Sequence, residues 1–451
     1  LLSCLPGCGK EPAETEIPPI TVLPEEKPEE RPESPGVPNV ETLPEPVTVS
    51  LEEADFLPLE ETSLTLFHQG LIMAFRDGVY GYMDRSGQWV LEPQYLLTMD
   101  FQSGCLAAAM ENGLWGYIDR SGNWVIAPQF EGAMDFDENG YAVVKSVDTW
   151  KLGLIDTTGA WVLEPVYDEI SAPDENGLRA VIGSGGSSII DISGNRITHM
   201  YDVRPYNFDT SEIVVVFRDG RYGAADKNGN FVISVRYSDL SSFDAGGLAL
   251  AAEDKKYGFL DVSGEWAIQP MFDAVSRFSN NGPALAVVRE LDEETSTMQK
   301  RWGYIDRKGR WVIRLDVEHA WEFREGYARV KKDGLYGMID QQGNYVIEPV
   351  YRRLGEMSNG MVWFWENGKI GYLDCSGNVV IPAMFTPFYD TAEGYGYDFY
   401  ADGLAIVQLG ETEGIIDKSG NWIIEPVEVH FMTPVEQWQP GDFDHSKWQR
   451  M

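Results

Sequence analysis

Residues on which most site chemistry depends are scarce in this chain. Its 451 residues include four cysteines and five histidines. Cys105 and Cys375 fall at different phases of the repeat described below, and no CxxC pair exists. A disulfide framework and a zinc ribbon are therefore excluded. His68, His199, His319, His430 and His445 show no His-x-His or His-x-x-x-His spacing, so neither a metal centre nor a catalytic triad is indicated. Basic residues are also few: 35 Lys and Arg stand against 72 Asp and Glu, a net charge of −37. Such a surface repels the phosphates of nucleic acid and anionic lipid. No apolar run reaches the roughly 20 residues that span a bilayer as a helix, and no segment has a helical period.

What is present suits a β core. Hydrophobic residues make up 43% of the chain and aromatics 12%, ample for burial. One pattern recurs ten times, seen most plainly in Trp115–Pro128, "WGYIDRSGNWVIAP". Its phase is set by an Asp and a Gly three residues later: Asp84/Gly87, Asp119/Gly122, Asp156/Gly159, Asp191/Gly194, Asp226/Gly229, Asp261/Gly264, Asp306/Gly309, Asp340/Gly343, Asp374/Gly377 and Asp417/Gly420. Most steps are 34 to 37 residues, with two longer ones of 45 and 43. Repetition at this length signals an array in which each unit buries its face on its neighbours.

Each unit reads as three strands with a fourth short piece. Asn112-Gly113, Asp219-Gly220, Asp333-Gly334 and Asn367-Gly368 predict two-residue hairpins, because these residues accept positive φ. The second strand carries aromatic-Gly-aromatic-Ile-Asp, and its Asp opens a tight turn closed by Gly. A third strand such as Trp124-Val125-Ile126 is ended by a Pro (Pro93, Pro128, Pro165, Pro270, Pro349, Pro426), which has no N–H to give. The fourth piece, for example 272–278, leads to the next unit. The fold expected is all-β: ten tandem repeats of about 35 residues in a propeller-like arrangement of one or two rings, with an open β-solenoid as the alternative. If the ring closes, its last strand comes from 63–67 or from 428–432.

Flanking segments differ. Leu5-Pro6-Gly7-Cys8-Gly9-Lys10 resembles the end of a bacterial lipoprotein signal, making Cys8 the expected lipidation site and Cys4 its alternative. Residues 1–8 are read as that remnant. Residues 9–61 hold eleven prolines and fifteen acids, the composition of an extended acidic tether. The repeat body is 62–432, with a possible sub-division near 192–210, and 433–451 is a tail or cap.

The stretches Trp115-Gly116-Tyr117-Ile118-Asp119 and Trp302-Gly303-Tyr304-Ile305-Asp306 resemble the WG (KWG) repeat of bacterial proteins over about residues 62 to 432. That resemblance implies a β-repeat body, frequently on secreted or lipid-anchored proteins, and no catalytic residues. Repeat four departs from it, with Ser188 for Gly and Arg196 for Trp, and so does repeat nine, with Val379 for Trp and Pro382 displaced by one. The expected role is a non-catalytic binding scaffold, lipid-anchored at the cell envelope outside the cytoplasmic membrane, with an envelope protein or polysaccharide as partner. No cofactor, metal or catalytic residue is assigned. The alternatives are an envelope glycan hydrolase or a spacer without a ligand.

Candidate chemistry is sparse. The Asp-x-Ser-Gly-Asn turns offer one carboxylate each beside Arg120, Lys227, Arg307 or Lys418, a poor cation site. Repeat aromatics suit packing. Aromatics outside the pattern are the candidate ligand contacts: Trp363 and Trp365 in repeat nine, and Tyr389, Tyr395, Tyr397 and Tyr400 in the Tyr-rich insertion of repeat ten.

Overall fold

Alternating hydrophobicity folds Leu71–Arg76 and Val79–Asp84 into a hairpin, paired from Leu71↔Asp84 to Arg76↔Val79. Its two turn residues, Asp77 and Gly78, both have positive φ, the backbone whose twist matches that of paired strands. Asn112-Gly113, Asp219-Gly220, Asp333-Gly334 and Asn367-Gly368 repeat this geometry, as their sequences predict. The computed structural model describes residues 66–101, 106–137, 139–173, 177–184, 186–200, 204–207, 213–226, 229–278, 282–292, 296–387 and 398–432. Among these every regular element is a strand.

After the second strand the chain turns at Asp-x-x-Gly. In repeat one, Gly87 N donates to Asp84 O (3.0 Å), and the Asp84 carboxylate accepts from the amides of Ser86 (2.8 Å) and Gln88 (3.1 Å). The hydroxyls of Ser86, Thr158 and Ser263 donate to the same carboxylate oxygen in their turns and hold Asp84, Asp156 and Asp261 below the usual carboxylate range. These carboxylates serve the turn.

The glycine in the second strand has a different task. A Cβ on Gly116 would lie 2.5 Å from Ile126 O and 2.7 Å from Pro128 N, and Gly81, Gly258 and Gly337 meet their third strands equally closely. There the third strand bulges, and its register against the second strand shifts. Only a residue without a side chain permits that approach.

The fourth piece joins the following repeat. Ala274–Val275 pairs with Ala284–Asp292, and His319–Ala320 with Tyr327–Lys332. In Trp124–Ala133 the third strand and this lead-in are one strand: Phe130 partners Trp115 of repeat two and Ser146 of repeat three. Two such shared strands join repeats two to four into a nine-stranded antiparallel sheet.

Successive repeats pack face to face, because the two sides of each first strand point to different neighbours. Leu71 and Met73 face repeat two, whereas Ile72 and Ala74 face repeat ten. Among the described residues one apolar cluster fills each of the ten junctions. At the junction of repeats four and five, Ile189 packs on Val214, Val216 and Ala225. At the junction of ten and one, Leu66, Phe67, Ile72 and Ala74 pack on Ile406, Ile415, Ile424 and Phe431. There His430–Phe431 pairs with the first strand of repeat one, Ala74↔Phe431 and Phe75↔His430. The array is a single closed ring of ten repeats rather than an open solenoid. Of the two segments considered for closure, 428–432 supplies the strand, while Leu66 and Phe67 fill the core beside it.

The lead-in residues Leu240, Ala320, Leu354 and Phe431 are buried, whereas Val90, Val125, Val350 and Val379 of the third strands are exposed. Third strands thus form the solvent-facing rim. Repeat aromatics bind neighbours together. Tyr117 and Tyr304 donate their hydroxyls to Met134 O (2.7 Å) and Trp321 O (2.6 Å) of the next repeat and pack at a tilt against Phe136 and Phe323. Trp124, Trp311 and Trp422 meet Tyr95, Phe272 and Phe385 of the preceding repeat edge to face, a favourable quadrupole arrangement.

Candidate functional site

The pattern breaks at repeats nine and ten, and the turn end of repeats eight to ten carries a polar network. Glu325 and Asn359 each precede a glycine at the start of a first strand and have positive φ. The Glu325 carboxylate accepts from the amides of Asn359 and Gly360 (2.7 Å to the latter). Ser358 donates its hydroxyl to Phe399 O (2.7 Å), and the Asn359 side-chain amide donates to Tyr400 O. Lys418 Nζ reaches back to Asn359 Oδ1. Across the ring seam, Asp402 accepts from Arg85 (3.3 Å) and from Phe67 N (3.4 Å). In repeats one, seven and ten the residue after the turn Asp thus acts as a clamp: Arg85, Arg307 and Lys418 hold the preceding repeat. Arg307 does so most firmly, with a bidentate pair to Asp244 at 2.7 and 2.8 Å.

A second feature is a row of carboxylates at one repeat position on consecutive lead-ins: Glu322, Glu356 and Asp398. Glu356 is paired with Arg324 (2.8 Å) and Arg329 (3.3 Å). Its neighbours are less compensated. Burial pushes Asp398 up to about 6, offset in part by Arg324 and reinforced by the Glu356 charge. Glu322 is raised as well, first by burial, with Arg324 opposing and Glu356 adding. Glu322 and Asp398 are therefore both biased towards their neutral forms.

A third feature is a stack crossing from repeat seven to repeat eight. His319 contacts both Trp302 and Trp321, with centroids 4.3 and 4.2 Å away, and the Arg329 guanidinium sits 4.2 Å from the Trp321 ring centroid. Burial, with Arg329, Lys300 and Lys331 nearby, lowers the His319 pKa. Each ring of the group thus has its neighbours within the protein, and the group ties repeat seven to repeat eight. Sequence inspection missed it because His319 and Trp321 stand where repeat seven has Ala274 and Ser276; two aromatic rings at small-residue positions were the available signal.

The predicted ligand contacts separate. Trp363 is 6% exposed in the core between repeats nine and ten, with its indole against Gly355. Trp365 packs at the edge of the same core and is half-buried, with Arg353 6.0 Å from its ring. Tyr400 is half-buried at the next junction, beside the network. The structure thus brings Trp363 and Trp365 to one junction and Tyr400 to its neighbour. Tyr389, Tyr395 and Tyr397, and the lipidation candidates Cys8 and Cys4, lie outside the described residues.

The WG containing repeat matches residues 80–115, 115–150, 153–183, 222–257, 257–292, 302–336, 336–369 and 414–432. These segments cover more than half of the chain, which belongs to the WG-repeat family. The gaps at 184–221 and 370–413 fall on the degenerate fourth repeat and on repeats nine and ten with the insertion. No curated protein matches the sequence. Among solved structures, a eukaryotic initiation factor is 13% identical, with TM-score 0.43 over 81% of this chain and 96% of that one. The dihydro-heme d1 dehydrogenase NirN is 13% identical, with TM-score 0.34 over 85% and 77%. Hsv2p of Kluyveromyces lactis is 12% identical, with TM-score 0.31 over 55% and 98%. Nothing about those proteins is carried to this chain.

Proposed function

We propose that this WG-repeat protein is a non-catalytic scaffold, lipid-tethered through Cys8 at the outer side of a bacterial cytoplasmic membrane. Its ring presents the Tyr-rich insertion of repeat ten to an envelope protein or polysaccharide. The supporting observation is how the insertion is rooted. On one side, Thr386 N donates to Gln408 O (2.8 Å) and the Thr386 hydroxyl accepts from Gly410 N (3.1 Å). On the other, Ser358 and Asn359 hold the carbonyls of Phe399 and Tyr400. A rigid base of this kind lowers the ordering cost of a contact made by the loop it carries.

The test is binding of the full chain to envelope protein and to purified wall polysaccharide, separately, with Tyr389, Tyr395, Tyr397 and Tyr400 all replaced by Ser. Weakened binding with an unchanged urea midpoint supports the reading, and the fraction that loses binding identifies the partner's class. Unchanged binding to both overturns it.

A second reading, glycan hydrolysis, draws on two neighbouring carboxyl groups that burial raises, Glu322 and Asp398, the latter to about 6. Such hydrolysis needs a general acid of raised pKa. Release of reducing sugar from wall polysaccharide, abolished by Asp398→Asn and by Glu322→Gln, would establish it; no release by the native chain removes it.

A further inference from the structure

The ring has one junction that no lead-in bridges covalently. Elsewhere the lead-in strand continues at both ends, from the third strand before it and into the first strand after it. His430–Phe431 continues only from Trp422–Val427, and it meets the first strand of repeat one, far away in sequence, through two paired residues and a bond from Met432 N to Met73 O (3.0 Å). A strand whose partner lies far away in sequence pairs at a lower effective concentration than one whose partner follows it directly. Something must hold it there.

Glu413 stands at the position that is Trp115, Trp302 or Tyr336 in other repeats, immediately before the second-strand glycine. It is 6% exposed, and its carboxylate points at the closing strand. Oε2 accepts from Phe431 N at 2.8 Å, and Oε1 lies 2.7 Å from His430 Nδ1. Phe431 is fully buried in the junction core, so its amide has no solvent to fall back on. An aromatic at position 413 could satisfy neither group.

We infer that Glu413 is the latch of the ring: from the second strand of repeat ten it holds His430–Phe431 in the position that pairs with repeat one, and its loss lets this junction open while the others stay closed. The replacement of the repeat's aromatic by an acid is the sequence mark of the closing unit. Opening uncovers the edge of Leu71–Arg76 at Met73–Phe75, leaving a strand edge able to accept another strand.

Amide hydrogen exchange on the full chain tests this, using Glu413→Ala, Glu413→Gln and the exposed control Glu425→Gln. A hydrogen bond to a charged group is worth enough to alter opening on the order of ten- to a hundredfold. The expected result for Glu413→Ala is acceleration of that size at 429–432 and 72–76, with repeats three to eight and the control unchanged. Glu413→Gln keeps an acceptor for Phe431 without the charge; it should give a smaller acceleration at the same sites, and it covers the case in which the alanine variant does not fold. Unchanged exchange at 429–432 in both variants overturns the latch. So does equal acceleration at every junction, which would make Glu413 a support of the ring as one body.

Discussion

A Cβ on Gly87 would come within 3.0 Å of the Ile424 side chain, 337 residues further along the chain. Gly343 approaches Ile313 and Gly264 approaches Ile233 at the same 3.0 Å. The seam therefore has the contact geometry of junctions between consecutive repeats. Each of these glycines also has positive φ. Gly87→Ala and Gly343→Ala should each destabilise by about 1–2 kcal/mol in urea unfolding, combining backbone strain with crowding. A seam variant with no effect beside a costly Gly343→Ala would show that the two junctions differ.

The two glycines of a repeat predict different penalties. Gly113 needs its positive φ but has open space around it, so alanine there should cost about 1 kcal/mol. At Gly116 the obstacle is backbone, Ile126 O at 2.5 Å, which cannot rotate away. Alanine there should cost about 3 kcal/mol or more. Urea titration of both variants reads the contrast, and a smaller loss at Gly116 would refute the close-crossing account.

Arg307 and Asp244 form an almost fully buried bidentate pair, 8% and 9% exposed, between repeats six and seven. Removing one partner leaves the other charge without compensation, at a cost of about 3 kcal/mol. Arg307→Ala and Asp244→Asn should each lower the urea midpoint strongly, while the double variant should lose less than the sum of the two.

Six turn carboxylates lie below their usual range, Asp84, Asp156 and Asp261 through Ser or Thr hydroxyls, and Asp374 and Asp417 through Asn378 and Asn421. The sixth, Asp119, is lowered against an opposing effect of burial by bonds from Asn123 and Ser121. Their stabilisation is complete above the ordinary Asp value of about 4 and is lost as pH falls through the lower folded values. Urea midpoints should drop below about pH 4, and Asp84→Asn should shallow that drop.

Asp398 carries the opposite sign. With its folded pKa raised to about 6, ionisation works against the fold: the penalty is absent below about pH 4 and complete above about 6. Asp398→Asn should raise the urea midpoint at pH 7 and leave it unchanged at pH 4. An equal change at both pH values would assign the effect to packing instead.

Local rules made much of the fold legible. The hairpins at Asn112-Gly113 and Asp333-Gly334 and the turns at Asp84 and Asp417 depend on backbone preferences of neighbouring residues, which sequence displays directly. The strand ends expected at Pro93 and Pro128 do not occur: those strands run on to Tyr95 and Ala133, because the proline falls in the bulge, where the ladder needs no N–H. Relations between repeats were hidden. Reading Gly116 beside Tyr117 gives no hint that Ile126 O passes 2.5 Å from its missing Cβ. Nothing adjacent to Arg307 reveals Asp244, 63 residues earlier. The choice between 63–67 and 428–432 for closure turned on the pairing of Phe431 with Ala74, which exists only once the ring is formed. At the site, Trp363 and Trp365 looked equivalent by alternation, yet one lies inside a junction and the other at its margin.

Closure also limits how such a gene can change. An open array gains or loses one unit by adjusting a single neighbour pair. Here a duplicated or deleted unit would require every junction to turn by a different fraction of a circle, and the strand carrying Phe431 would no longer arrive beside Ala74. The copy number of ten is thus maintained by geometry, and sequence variation is channelled into outgrowths such as 386–403, which leave the inter-repeat angles untouched.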